Sequence, residues 1–315
     1  MRAVIVPAAG ERPALAELST PALGAGQVLI RVHAAALNPM DNVLASGGLA
    51  EAMEHRYPLV LGRDVSGVVE AVGDGVTDVT IGAEVIGHLG FEAPFQAGTL
   101  AEYVAVAAAS VAVKPPSLGH TAAAALPLAG GAALAALDAA GVQSGQTVLI
   151  NGASGGVGRY AVQLAAQRGA TVVTTGTSAS AHRLRELGAD AVVDYTAGPV
   201  AEQVRTLYPN GVDVLVNLWG NTVNDVPLDA VRPGGRVSTI TSVPDADTTA
   251  ALGLGGGGIT IASPDRDVIA TLAQKAASGK LRSDLSQVIP LDEAVEGLDQ
   301  IAAGKSHGKV VVTLA

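Results

Sequence analysis

Residues 147–161 read TVLINGASGGVGRYA: an apolar run, a glycine-rich turn, then an amphipathic segment. The turn holds Ala153-x-Gly155-x-x-Gly158, a variant of the dinucleotide-binding fingerprint with Ala at the first glycine position. Residues 147–151 predict a buried strand, and Val157, Tyr160, Val162, Leu164 and Ala165 recur at helical spacing. Glycine lets the backbone approach a pyrophosphate without a Cβ clash. The helix that follows offers free N–H groups and a partial positive charge at its N-terminus. The strand–turn–helix context, more than the string itself, gives the motif its weight.

Outward from this stretch, the pattern alternates. Strands are expected over 147–151, 171–175, 191–193, 212–217, 236–240 and 258–262, with helices over 158–167, 181–187 and 200–206. Such alternation predicts βαβ units and a parallel sheet. The first third is β-rich instead, with strands over 2–6, 27–35, 59–73, 83–89 and 100–105. In LVLGRDVSGVVEAVG (59–73) glycines recur every few positions, as at the tight corners of small barrels. Residues 121–137 are rich in Ala and Leu and predict a helix kinked or broken by Pro127 and Gly130-Gly131. After 263 come a helix (268–277), Val288-Ile289, a helix (291–303) and a strand (310–313). These last strands are too short for a domain of their own and are expected to rejoin the N-terminal β unit. The expected division is 1–116 with 265–315, and 117–264.

Composition narrows the function. The 315 residues are 49% apolar and 15% charged, enough for one large or two ordinary domains with well-buried cores. No apolar run is long enough to span a bilayer, and the N-terminus MRAVIVPAAGERP reads as a strand rather than a signal peptide, so the expected location is cytoplasmic. The net charge of −10 argues against a nucleic-acid partner, and the lack of a spanning apolar run against a membrane one. With no Cys, disulfides, thiol nucleophiles and Cys-ligated zinc are excluded.

Seven segments, in order, carry a resemblance over nearly the whole chain: AAALNPMDNVLASG (34–47), PLVLGRDVSGVVEAVGDGV (58–76), GTLAEYVAV (98–106), LPLAGGAALAAL (126–137), NGASGGVG (151–158), GADAVVDY (188–195) and HGKVVV (307–312). The chain resembles the zinc-free quinone oxidoreductase (zeta-crystallin-like) branch of the medium-chain dehydrogenase/reductase superfamily. The resemblance implies an α/β fold: a Rossmann doubly wound parallel sheet plus a GroES-like β-rich catalytic domain, with the active cleft between them, in a homodimer.

Zinc-dependent relatives carry Gly-His-Glu where this chain has Gly62-Arg63-Asp64. Arg offers no lone pair to a metal. The six His are scattered without ligand-like spacing, so no metal is expected. Without a Lewis acid, acceptors already electron-poor by conjugation are favoured: quinones, enones and enals.

No Asp or Glu follows the second strand of the alternating region, where NAD-binding folds place an acid on the ribose 2′-hydroxyl. Gly176 and Ser178 leave room there, and Arg183 brings positive charge, so NADPH is the expected cofactor. Arg183 reads equally as a solvated helix residue. Ser180 stands where many relatives carry Lys. The resemblance further places Tyr195 by the adenosine phosphate and Ser154, Gly155, Gly156, Val157 and Gly158 along the pyrophosphate. It places Asn221 toward the nicotinamide ribose, and Ile240, Thr241 and Ser242 at the carboxamide end. Asn38 and Asp41, in LNPMD, match the family's Asn-x-x-Asp. Asn38 is expected to contact substrate or nicotinamide ribose, and Asp41 to cap or orient a short helix. Relatives' Tyr two residues after that Asp is Val43 here. Trp219 reads as a ring wall or as core or interface packing, and Phe91 and Phe95 as a lid or as loop anchors. Two function classes stay open: an NADPH-dependent reductase of small electrophiles (enoyl reduction in secondary metabolism being a variant), and a non-catalytic NADPH-binding protein.

Overall fold

The computed structural model describes residues 1–220 and 222–314. The chain divides into two compact units, Ala132–Ala262 and, from both sides of it, Met1–Gly131 with the segment from Ser263 on.

The first unit opens with β1 (Arg2–Val6), β2 (Ala14–Glu17), β3 (Gln27–Leu37), helix α1 (Pro39–Ala45), β4 (Leu59–Val60), β5 (Asp64–Val72), β6 (Glu84–His88), β7 (Tyr103–Ala107) and β8 (Val111–Val113). Helices α2 (His120–Ala124) and α3 (Pro127–Ala139) follow. The break between them falls just before Pro127, whose ring suits the first helical turn and has no N–H to continue the previous one. Gly130 and Gly131 stay helical because other side chains lie against their bare backbone: an added Cβ would meet Leu272 at 3.0 Å and Pro264 at 2.9 Å. Helix α2 packs on β3 and β5, which is why the first unit extends to Gly131 instead of ending at 116.

The second unit contains β9 (Thr147–Asn151), α4 (Gly156–Gln167), β10 (Thr171–Gly176), α5 (Ser178–Glu186), β11 (Ala191–Asp194), α6 (Val200–Leu207), β12 (Val212–Asn217), β13 (Val231–Thr239), α7 (Ala246–Ala251) and β14 (Gly255–Ile259). Its six strands are all parallel, in the order β11-β10-β9-β12-β13-β14. Numbered within the unit this is 3-2-1-4-5-6, the doubly wound arrangement, whose ligand crevice lies where the strand order reverses. The reversal falls between β9 and β12. The core between sheet and helices is built from Leu149, Val173, Val204, Leu215 and Val237.

The final two strands of the alternating region begin earlier than 236 and 258. Strand β13 includes Pro233, Gly234 and Gly235, with a register shift against β12 that accommodates them. Strand β14 is GGGGI, which has no side-chain signature of a strand and is held by backbone pairing to β13.

The chain then returns to the first unit as α8 (Arg266–Ala277), β15 (Leu285–Pro290), α9 (Ala294–Ala302) and β16 (Lys309–Thr313). Strand β16 pairs with β3, completing a seven-stranded sheet ordered β15-β16-β3-β5-β6-β8, with β7 also on β3. The expected return of the C-terminal strands is therefore observed. Gly67 of β5 lies against β3, where an added Cβ would sit 2.1 Å from the Arg31 carbonyl oxygen and 2.8 Å from Ile30. Gly67→Ala is expected to destabilise the protein by at least about 1–3 kcal/mol, the usual cost of overpacking. Gly258→Ala, with nothing within 4 Å, is expected to stay within about 0.5 kcal/mol in the same denaturant titration.

Candidate active site

The glycine turn joins β9 to α4 at the switch point of the second sheet. Gly152 has φ +85, a left-handed conformation, and its bare Cα lies against Trp219, whose Cβ would be 2.8 Å from an added methyl. Gly158 packs directly on the strand end, since its Cβ would stand 2.3 Å from the Gly152 carbonyl oxygen. Gly155 differs: an added Cβ would meet only Gly152 O, at 3.5 Å, so this face of the turn is open. Gly155 is the N-cap of α4 and supplies no side-chain cap. The N–H groups of Gly156, Val157 and Gly158, in the first helical turn, therefore lack intrahelical partners and point out of the helix end. Together they make a site for an anion, with the helix dipole behind it.

A buried polar network crosses the C-terminal ends of four strands beside this turn. Asn151 Nδ2 donates to Asn217 Oδ1 at 2.7 Å, and Thr175 Oγ1 donates to Asn151 Oδ1 at 3.0 Å. The Gly152 N–H donates to Thr175 Oγ1 at 2.8 Å, which ties the network to the glycine turn. Asn217 Nδ2 donates to Thr239 Oγ1 and Thr241 Oγ1, both at 3.3 Å. Of the expected carboxamide-end residues, Thr241 thus joins the network, Ile240 donates its N–H to the Asn217 carbonyl, and Ser242 follows in the chain. Asn151, Thr175, Asn217 and Thr239 were not singled out from sequence, although each ends an apolar strand run, where a polar residue breaks the pattern. Asn221 lies outside the described residues.

At the end of β10, Gly176 leads into Thr177, which caps α5 with Ser180 in a reciprocal box. Ser154 Oγ donates to Ser180 Oγ at 3.2 Å, linking the glycine turn to the loop expected to hold the adenosine ribose. The Ser178 N–H donates to Asp194 at 3.1 Å. Arg183 donates to Glu186 at 2.7 Å, so its charge is already shared on α5. Tyr195, just beyond β11, is exposed. Trp219 is 59% exposed, which removes the core-packing reading and leaves its ring on the surface.

In the first unit, polar and charged residues form a row across one end of the seven-stranded sheet. Lys309, Asn38, Asp64 and His88 stand on or beside β16, β3, β5 and β6 in adjacent registers. Asp64 is fully buried. Its Oδ1 accepts from the Leu128 N–H at 2.8 Å and from His88 Nδ1 at 3.2 Å. Its Oδ2 accepts from Asn38 Nδ2 at 3.0 Å and lies 3.8 Å from Lys309 Nζ. Lys309 also donates to Asn38 Oδ1 at 2.6 Å and to the Leu37 carbonyl at 3.0 Å. The Asn38 amide is thus engaged on both its atoms inside the unit. Asp41 is fully buried too, accepting from the Asn38 N–H at 2.8 Å and the Gly62 N–H at 3.1 Å. This is the capping and orienting position expected of it. Burial pushes the Asp41 carboxyl up to about 6, against the pull of its backbone donors and Arg63.

A second constellation has the composition of a nucleophilic triad: Ser66 Oγ and His120 Nδ1 are 2.8 Å apart, and His120 Nε2 is 3.2 Å from Glu84. It is structural. Ser66 is fully buried and gives its proton to the Val85 carbonyl at 2.8 Å, so its hydroxyl is an acceptor toward His120.

Two family models match the chain. Residues 24–117 match the alcohol dehydrogenase GroES-like domain, and residues 187–312 match the family described as zinc-binding dehydrogenase. The human mitochondrial NAD(P)H oxidoreductase RTN4IP1 is 33% identical over 91% of this chain and 82% of its own length. The chain belongs to the medium-chain dehydrogenase/reductase superfamily. Within it, the Arabidopsis thaliana chloroplastic NADPH-dependent alkenal/one oxidoreductase is 32% identical, over 93% of this chain and 73% of that protein. The solved quinone oxidoreductase from Coxiella burnetii superposes with a TM-score of 0.86 at 29% identity, covering 100% of this chain and 99% of that one.

A catalytic zinc does not fit these residues. Cys is absent from the chain, Arg63 offers donors only, and no group of three or more His, Cys, Asp or Glu among the described residues could hold a metal. The NADPH-type cofactor does fit, because the open face at Gly155 and the bare helix N-terminus form the cradle a diphosphate needs.

Asp41 gives the first unit a defined pH dependence. Its folded-state value lies above the ordinary 3.8, so the folded protein binds a proton more readily than the unfolded chain between about 4 and about 6. Stability contributed through Asp41 therefore falls as pH rises through this window. Relative to Asp41→Asn, the wild type is expected to gain about 1.4 kcal/mol on going from pH 7.5 to pH 5.0, read by denaturant titration at both values.

Proposed function

We propose that the protein is an NADPH-dependent reductase that passes hydride to a quinone or an α,β-unsaturated carbonyl without a metal. The observation that carries this reading is the combination, in one chain, of an anion-binding glycine turn at the switch point of a doubly wound sheet with a donor set unable to hold zinc. The relatives named for NAD(P)H, alkenal/one and quinone reduction agree with it.

The backbone of Ser154, Gly155, Gly156, Val157 and Gly158 receives the pyrophosphate, and Gly176, Ser178, Arg183 and Tyr195 surround the adenosine phosphate. No carboxylate stands on residues 176–178 themselves, and the nearby Asp194 carboxylate is engaged by Ser178 N–H and Thr196. Asn221, Ile240, Thr241 and Ser242 serve the nicotinamide end, where the Asn151–Asn217 pair and its Thr partners hold the strand ends rigid. When bound, NADPH supplies a hydride from nicotinamide C4. The protein's own part is alignment and exclusion of competing reactions, which suffices when conjugation has already made the acceptor electrophilic. Asp41 orients the Asn38 loop, and Asn38 fixes the Lys309–Asp64 pair beside it.

The protein works as a homodimer in the cytoplasm. Strand β14 has an unpaired edge, and Ile259 and Ile261 beside it are exposed, which supports pairing with a second copy. No helix among the described residues is long and apolar enough to cross a membrane.

Purified protein is expected to oxidise NADPH in the presence of a quinone or enone, and with an enone the deuterium of C4-labelled NADPH is recovered on carbon of the product. A panel of quinones, enones and enals that leaves NADPH absorbance unchanged overturns the assignment. Gly155→Ala is expected to raise the NADPH dissociation constant at least about tenfold by calorimetry, because the new methyl stands on the open face. It should lower stability by no more than about 1 kcal/mol.

A further inference from the structure

Thr175, Asn151, Asn217 and Thr241 form a series of hydrogen bonds with a fixed direction. The Gly152 N–H can only donate, and at 2.8 Å it takes a lone pair of Thr175 Oγ1. The Thr175 proton therefore goes to Asn151 Oδ1, at 3.0 Å. The orientation of the Asn151 amide is fixed independently: its Nδ2 faces the Asp225 backbone carbonyl at 3.4 Å, and a carbonyl can only accept. Asn151 Nδ2 also donates to Asn217 Oδ1, at 2.7 Å. Asn217 Nδ2 is left to donate on the far side, to Thr239 Oγ1 and Thr241 Oγ1 at 3.3 Å each. Two backbone groups from separate parts of the chain thus set the sense of every bond that follows.

The series ends in a hydroxyl whose role is thereby decided. Thr239 is fully buried and accepts a second time, from the Thr241 N–H at 3.2 Å. Thr241 is half-buried. Its oxygen accepts from Asn217, and its own proton has no acceptor among the described residues. The backbone before it is anchored, since the Ile240 N–H donates to the Asn217 carbonyl at 3.1 Å. With the Asn217 amide behind it, the Thr241 hydroxyl cannot turn its proton inward without facing another donor. It is a donor held ready, two residues beyond the C-terminal end of β13. In a doubly wound sheet that position borders the ligand crevice. Such sheets bind a dinucleotide across their two halves: the adenosine half lies on the side of the glycine turn and the second strand, and the nicotinamide half over the other three strands, here β12, β13 and β14.

We infer that the Thr241 hydroxyl donates to the carbonyl oxygen of the nicotinamide carboxamide, and that Asn217 is the positioning residue that keeps it a donor. The inference rests on the reading above that NADPH is the cofactor. A carboxamide offers an acceptor at its oxygen and donors at its NH2 group. A hydroxyl free to turn could meet either end. One fixed as a donor meets the oxygen alone. The carboxamide is thereby held in one of its two rotational states, and the pyridine ring that bears it is set for transfer from C4.

Calorimetry on the intact chain with three probes reads this contact directly. The probes are NADPH, its reduced 3-acetylpyridine analogue, which keeps the carbonyl and lacks the NH2, and 2′,5′-ADP, which has no nicotinamide. Thr241→Val is expected to raise the dissociation constants of NADPH and the acetylpyridine analogue by a similar factor, at least about threefold, as one neutral hydrogen bond is worth. It should leave 2′,5′-ADP affinity unchanged, which also shows that the variant is folded. Thr241→Ser keeps the hydroxyl and should restore both affinities. Asn217→Asp faces Thr241 with an acceptor in place of a donor. It should draw the proton inward and give a loss of similar size, and combined with Thr241→Val it should add nothing. Four results would each overturn the inference, even in a protein that reduces quinones: NADPH affinity unchanged in Thr241→Val, an effect on NADPH that spares the acetylpyridine analogue, an equal loss for 2′,5′-ADP, or losses that add in the double variant. A wild type that binds none of the probes overturns the cofactor reading along with it. The full expected pattern in a protein that reduces no acceptor upholds the inference and overturns the reductase reading instead.

Discussion

Asp64 is the point on which the first unit turns. One carboxylate, wholly out of water, gathers donors from His88, Asn38 and the Leu128 N–H, with the Lys309 ammonium beside it. These come from separate strands and from the start of α3, and they include the last strand of a chain that has left the unit and come back. A buried carboxylate without such partners would be untenable, and Lys309 without Asp64, Asn38 and Leu37 equally so. The pairing is therefore a closure condition: the returning segment seats in one register or leaves two charges stranded. Burial lowers the pKa of Lys309, and the Asp64 and Asp41 carboxylates oppose that shift without cancelling it.

The second unit is organised by a different constraint, the closeness of backbone to backbone at Gly152 and Gly158. Where a methyl would collide with strand or neighbouring chain, the turn can be tight enough to aim the α4 N-terminus out of the sheet. The amide network of Asn151 and Asn217 then ties the paired ends of β9 and β12 together, satisfying polar groups where the strand order reverses. A fully bonded network of this kind rigidifies what it connects, and it connects the glycine turn to the β13 end.

Much of this was legible in the residues. The strand–turn–helix over 147–167, the parallel alternation and the return of the C-terminal strands all follow from periodicity and from glycine and proline chemistry. Strand β14 was misplaced because four glycines have no side-chain pattern to read; of the two places where the helix over 121–137 was expected to kink or break, Pro127 is where it divides, whereas Gly130-Gly131 stay helical because Leu272 and Pro264, far along the chain, occupy the space there. Asp64 was read only within Gly62-Arg63-Asp64, where zinc-dependent relatives carry Gly-His-Glu, and Lys309 was not singled out. Each sits at the edge of a run (LGRDVSGVV, HGKVVV) where a charge looks like a strand terminus in solvent.

The sequence by itself determined what kinds of chemistry are open: no thiol, no zinc ligand set, a backbone turn for a diphosphate, and no acid after the second strand. Those are matters of which atoms exist and of local backbone geometry, and they need no fold to be true. Tertiary structure alone decided which polar groups are satisfied. Asn38 is occupied by Lys309 and Asp64, whereas Arg63, beside Asp64 in the chain, keeps Nε and Nη2 buried without a hydrogen-bond partner, its guanidinium over Phe95. Whether a buried donor finds a partner depends on residues brought from hundreds of positions away, and no local pattern encodes that.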